Sequence, residues 1–456
     1  MRLLMIGLAM VLASCSDDSA KDTPPTNNTV RDSGADIALS GDAGDNGDAA
    51  VEADVGTPMP GACAANVTVG SAFALDPLGE AGQFYSVAAF DGASIWVVYN
   101  RPQSMNVRDE GIFVVRLGCD GAILTPPTLV SPDADARNYS PTLAAADGRA
   151  YVLWVHQPNG GNAKQLLYVG FRSDGSRITP EPVDVTPSLG EMPLSETIWQ
   201  PDLAATSDGA VLVAEVLGTE TQVVVERFTP AGEVTATFLA FGEKGVDQRS
   251  PSVGVEGDKT WVVWTRYQPA DPNTGTPEVP DSPAFVSFTG DSQVPDQGAP
   301  TVFPAVGEEI PLTSVSPQAG PNGEMFMAYN FVAPRQSLLT VRQLGVAEQI
   351  TTGAGTAGQL NFRQTVVSAA GGGAIGWYRY TSSPQKSSVV LQAFRVDQGR
   401  LTLGPENVVL PSYDAIQPYG PGLAHLEDDL YFVTYTQGAS APEARVYGRF
   451  VSATTR

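Results

Sequence analysis

A chain of 456 residues with 42% hydrophobic residues can bury a large core, and 47 glycines with 36 prolines imply many tight turns. Its formal net charge of −24 argues against nucleic acid as a partner, because that binding rests on phosphate neutralisation by Lys and Arg. Two histidines and three cysteines leave little raw material for a Ser-His-Asp triad or a histidine-rich metal site, so neither metal nor cofactor is expected.

The amino terminus reads as an address. Met1-Arg2 is a short positive region, and Leu3 to Ala13 is an apolar run too short to span a bilayer as a helix. It ends in Leu12-Ala13-Ser14-Cys15. These residues resemble a bacterial lipobox, in which small residues precede a cysteine that is lipidated and becomes the first residue of the mature chain. The resemblance implies a signal peptide over 1–14 and a membrane anchor, palmitate included, on Cys15. Several acyl chains anchor stably where one is marginal. Ser16 follows the cysteine, where aspartate often marks inner-membrane retention, so the outer membrane is the expected site within the cell envelope.

Residues 16–60 carry ten Asp/Glu against Lys21 and Arg31 and contain no aromatic residue. Such a segment cannot bury enough apolar surface to offset its ordering entropy. The expected division is therefore a lipidated, disordered acidic tether over 15–61 and one folded domain over 62–456.

From Phe84 onward the sequence repeats with a period of about 55 residues, in seven copies. YSPTLAAADGRAYVLWVHQPNGGNAKQLLYVGFRSDGSRIT (139–179) is one, and FYSVAAFDGASIWVVYNRP, WQPDLAATSDGAVLVAEV and RSPSVGVEGDKTWVVWTRY open three others. Each copy has a small-residue strand, then a polar/Gly turn such as Asp91-Gly92, Asp147-Gly148 or Asp208-Gly209. A strongly apolar strand follows with an aromatic near its end: Tyr99, Trp154, Trp264, Tyr329, Trp377 and Tyr435, with Ala214 in the third copy. A longer polar loop leads to a third strand, and a second tight turn to an outer one. Four strands per copy predict an all-β, seven-bladed β-propeller of four-stranded antiparallel blades. The last copy stops after its third strand, and ANVTVGSAFALDP (65–77) resembles an outer strand without its blade. Ring closure by that amino-terminal strand is the expected consequence, since it hides the edges an open array exposes. The whole resembles bacterial lipoproteins with an acidic tether and a degenerate propeller, a likeness of architecture that carries no function.

Cys63 and Cys119 stand a few residues before outer strands of neighbouring blades. A disulfide between them would staple the closing strand, if the free end bends enough to bring them together; otherwise they are free thiols or bridge molecules. His156 and His425 fall on different blades and opposite faces, each with a structural role expected.

The long polar loops, such as 100–110, 186–200 and 266–283, gather on the face away from the Asp-Gly turns, where ligand residues tend to collect on a rigid scaffold. Tyr85, Tyr139, Trp199, Arg249, Arg363 and Tyr419 open first strands and are expected to ring the channel mouth, with Gln200, Gln364 and Gln417. That set suits a sugar or a peptide carboxylate. The leading expectation is a non-catalytic binding or scaffold module displayed from a membrane, with a glycan, a peptide or another envelope protein as partner. The alternative is a glycan-active enzyme, sialidase-like or lyase-like. It would use Arg101, Arg249, Arg266, Arg363 and Arg379 beside acids such as Glu191 and Glu196, and it predicts channel carboxylates that hold their protons.

Overall fold

A computed structural model of the chain describes Cys63 and, with breaks, residues 69–455. The segments expected to carry the signal, Cys15 and the tether lie outside the described residues, as do Glu191, Glu196 and Tyr419. Thr57–Arg456 forms one compact unit.

That unit is an all-β propeller of antiparallel strands. In the second copy Ala136–Ala146, Arg149–Pro158, Gln165–Arg172 and Val183–Asp184 follow one another outward. Ile198–Thr206, Gly209–Val216, Gln222–Phe228 and Val234–Leu239 repeat the plan in the third copy. The fourth, fifth and sixth copies each form one four-stranded sheet of the same order.

The expected seven separate blades are not found among the described residues. Counted there as continuous hydrogen-bonded sheets, the ring has six members, five of four strands and one of eight, with a small separate hairpin at Ser188–Leu189 and Met192–Pro193. The eight-stranded sheet holds the four-strand runs of both the first and second copies. One parallel bridge, Glu110↔Arg137, joins them. Its physical cause is length: Ala136–Ala146 starts early enough to reach the start of Glu110–Leu117 in the neighbouring run.

The amino-terminal strand Ala72–Ala74 pairs antiparallel with Arg445–Ser452 and completes the last sheet. Backbone bonds extend that seam on both sides, from Gly70 N to Phe450 O and from Leu75 N to Val446 O. Gln83 reinforces it, accepting from the Val446 N–H at 3.0 Å through its side-chain oxygen. Asp76, 5% exposed, accepts from the Tyr99 hydroxyl at 2.9 Å and from the Arg101 guanidinium. Cys63 spans the same seam: its N–H donates to Glu427 in the last copy, while its sulfur is paired with Cys119 in the first. Their Cα atoms are 4.9 Å apart, inside the range a disulfide requires.

Period-two alternation explains why the second strand of each copy is apolar throughout. In Ile95–Pro102, Ile95, Val97 and Tyr99 pack against Leu426, Phe432 and Phe450 of the last copy. Trp96 and Val98 face the other way, against Leu143, Val152 and Trp154 of the second. Both faces are covered, so no polar alternation survives. Tyr99, Trp154, Trp264, Trp377 and Tyr435 are at most 1% exposed, and aromatics of this size dominate core energetics.

Candidate functional site

Every first strand described on both sides of its entry is interrupted by a β-bulge at the same place. Register shifts fall between Phe84 and Val87, Tyr139 and Thr142, Trp199 and Asp202, Arg249 and Ser252, and Phe362 and Thr365, and a wider one falls between Leu312 and Ser316 in the fifth copy. The residue after the first of each pair takes a left-handed backbone in four copies: Tyr85 (φ 51°), Ser140 (51°), Gln200 (43°) and Ser250 (50°). None is glycine, so each carries strain of about 1–3 kcal/mol that the surrounding sheet must hold. Pro141, Pro201 and Pro251 follow three of them, and a following proline keeps a residue out of the right-handed helical region. Such bulges re-aim side chains at barrel rims and binding sites.

This register separates residues that the expected ring groups together. Tyr139, Trp199 and Arg249 share one position, but its equivalents elsewhere are Phe84 and Phe362 rather than Tyr85 and Arg363. Tyr85 stands on the bulge and is 37% exposed. Trp199 and Arg363 lie on strands whose side chains at those positions are outside the described residues, as is Tyr419.

At the described part of the rim, Arg137 lies 4.9 Å from the Tyr139 ring centroid. Arg249 lies 4.6 Å from that of Tyr267 and bonds Asp247 at 2.5 Å. Beside it Glu215 accepts from the Ser250 N–H at 2.9 Å. Burial raises the Glu215 pKa above the ordinary carboxylate range, against the Ser250 N–H and Arg249, which lower it.

One step deeper, Asp202 joins three copies. It accepts from the Thr142 hydroxyl at 3.2 Å, from the Ser252 hydroxyl, and from the Val253 N–H at 3.1 Å. Burial raises its pKa although all these hydrogen bonds favour the ionised form. Asp202 pairs with Val213, two residues from Glu215, so the two carboxylates are diagonal neighbours on the sheet face toward the fourth copy. The third copy therefore brings two carboxylates whose pKa burial raises to neighbouring positions on its first two strands. Their sequence signals were present: Asp202 replaces the Val87, Thr142 or Ser252 of other copies, and Glu215 follows the one missing aromatic.

Among the described residues the expected arginines pair with separate acids. Arg101 pairs with Asp76, Arg266 with Glu243 through two bonds of 2.5 and 3.0 Å, and Arg379 with Glu406 at 2.7 Å. His156 is buried and bonds the Asn138 side chain at 2.9 Å through Nδ1, which also holds Trp154. His425, on the tight-turn face, bonds the Asp428 carbonyl at 3.0 Å through Nε2, and burial lowers its pKa. Among the described residues no group of three or more His, Cys, Asp or Glu is arranged to hold a metal ion. Exposed apolar side chains concentrate on one outer strand, with Ile123, Leu124 and Leu129. Val234, Val302 and Val408 stand on three other outer strands.

No protein-family model matches the chain, and no curated protein matches it. Solved structures do. The crystal structure of the polysaccharide lyase Uly1 is 11% identical with a TM-score of 0.51, over 85% of this chain and 92% of that one. The β-propeller domain of the Trilobed protease from Pyrococcus furiosus is 9% identical with a TM-score of 0.44, over 82% and 94%. An α-L-arabinofuranosidase, Arb93A from Fusarium graminearum, is 11% identical with a TM-score of 0.45, over 85% and 98%. Likeness at this level concerns the fold alone.

Proposed function

We propose that this chain is a lipoprotein held in the cell envelope through Cys15, and that its propeller binds a glycan at the long-loop rim of the third and fourth copies. The observation that carries this reading is the grouping of Glu215, Arg249, Asp247 and Tyr267 at the bulged strand entries, beside the strained Gln200 and Ser250. A charged-aromatic rim of this kind offers a sugar ring a stacking face and its hydroxyls both donors and acceptors. A lipid anchor at Cys15 fits display from a membrane, and the Cys63–Cys119 pair, read as a disulfide, fits an oxidising compartment.

A second reading has a specific observation behind it. Asp202 and Glu215 both hold their protons more tightly than ordinary carboxylates, which is how a general acid is made in a glycan-active enzyme. Glu215 is the stronger candidate for that role, because Asp202 is engaged by Thr142, Ser252 and Val253. The similar polysaccharide lyase supports the idea that such a ring can host glycan chemistry, but at 11% identity it transfers no residue role.

One experiment separates the readings. The purified chain is screened against glycans and cell-wall fragments for both binding and product formation. Binding without turnover, lost in Arg249→Ala, supports a binding module. Turnover abolished by Glu215→Gln supports the enzyme. Failure to bind any glycan removes both.

A further inference from the structure

The strongest unassigned feature lies on the opposite, tight-turn face, between the third and fourth copies. A cavity of about 270 Å³ opens there, lined by Thr206, Asp208, Arg227, Thr229, Asp258 and Asp291 among others. Ligand pockets for drug-sized molecules run from about 300 to 1,000 Å³, so this one suits something smaller.

Arg227 forms part of its wall. It sits on the strand Gln222–Phe228, is only 9% exposed, and lies 5.5 Å from the Phe238 ring centroid. One terminal nitrogen, Nη2, donates to the Ser292 carbonyl at 3.4 Å. The other, Nη1, is buried and has no hydrogen-bond partner. The nearest acid is Asp291, 3.9 Å from Nη1 and beyond hydrogen-bond reach, on a fully exposed side chain. A buried guanidinium with an unfilled donor favours an anion, because the alternative is an unsatisfied charged group in a low dielectric. Arg227 lines the cavity, and the loose Asp291 contact is the charged partner nearest its Nη1.

A simple anion fits the site poorly. Asp208, Asp258 and Asp291 are exposed around the opening, and the whole chain carries −24. They repel a lone anion and attract a cation. One small molecule satisfies both halves. We propose that this cavity binds a zwitterion of amino-acid size, its carboxylate accepting from Arg227 Nη1 and its ammonium facing Asp258 and Asp291. The threonine hydroxyls of Thr206 and Thr229 supply further polar contacts. The site is independent of the glycan reading, being on the other face of the ring.

The test uses the full chain with L-alanine as probe, and with propionate and ethylamine as its two halves, by calorimetric titration and thermal unfolding. L-Alanine is expected to bind and raise the melting temperature, with each half weaker by about tenfold or more. The Asp258→Asn/Asp291→Asn double variant, confined to exposed side chains, is expected to weaken L-alanine by a similar factor and leave the unliganded melting temperature unchanged. Arg227→Met is expected to abolish binding; should that variant fail to fold, the double variant still decides. No detectable L-alanine binding, propionate binding as tightly as L-alanine, or full affinity in the double variant would each overturn the proposal.

Discussion

Replacing Glu226 by glutamine should make this protein more stable at neutral pH and leave it unchanged in acid. Glu226 is 1% exposed on the strand Gln222–Phe228, where alternate residues face the second copy. Its Oε2 accepts from the Thr237 hydroxyl at 2.8 Å, while Oε1 has no partner. Burial pushes its pKa from 4.5 up to about 7, with Asp184 adding in the same direction and Thr237 opposing. An acid whose folded pKa is raised costs nothing below pH 4.5, where both states are protonated. As pH rises from 4.5 to about 7 the unfolded chain ionises first, and folding loses stability across that window. One pKa unit is worth about 1.4 kcal/mol, so a rise from 4.5 to about 7 removes about 3 kcal/mol by pH 8. Glutamine keeps an acceptor for Thr237 and cannot ionise. Urea midpoints of wild type and Glu226→Gln should coincide at pH 4 and separate progressively to pH 8. Asp202, Glu215 and His425 titrate in both proteins and cancel in the difference. Parallel pH profiles in the two proteins would refute the assignment.

Other expectations concern the seam and the anchor. Cys63→Ala/Cys119→Ala should lose about 4 kcal/mol on a chain-entropy estimate for a 56-residue loop, and dithiothreitol should lower the wild-type midpoint but not the variant's. Asp76→Asn leaves the Arg101 cation against the Tyr99 hydroxyl without its carboxylate; a loss of about 3 kcal/mol and faster proteolysis near Ala72–Ala74 are expected. Cys15→Ala should abolish palmitate labelling and release the protein from membranes, as scored by fractionation of expressing cells.

The repeat, its strand order and its apolar second strands were legible because both faces of those strands are buried, which leaves an unbroken apolar run. Closure was legible because an outer strand was missing at one end and spare at the other. The sheet count was not. It depends on two backbone groups, at Glu110 and Arg137, that meet only because one strand begins early. At the rim the two copies are offset by one residue from what their tyrosines suggest: FYS and YSP align by Tyr85 and Tyr139 in the sequence, while the strand register makes Ser86 and Pro141 equivalent. Turn signals were partly right. Asp147 and Gly148 both take positive φ, but Asp91 does not; its carboxylate instead accepts from Ser94 N at 2.6 Å and Trp96 Nε1 at 2.7 Å. Asp202 and Glu215 passed unnoticed because a single acid in an apolar copy resembles drift.

The seam also fixes an order of events in synthesis. Ala72–Ala74 leaves the ribosome long before its partner strand Arg445–Ser452. The Gln83–Val446 bond closes a gap of 363 residues, worth roughly 5 kcal/mol of closure entropy for a flexible chain. Until then the first copy waits with an uncovered flank. Nascent chains arrested before residue 445 should therefore be open arrays that chaperones and proteases can still engage, and the finished ring should form in one late step.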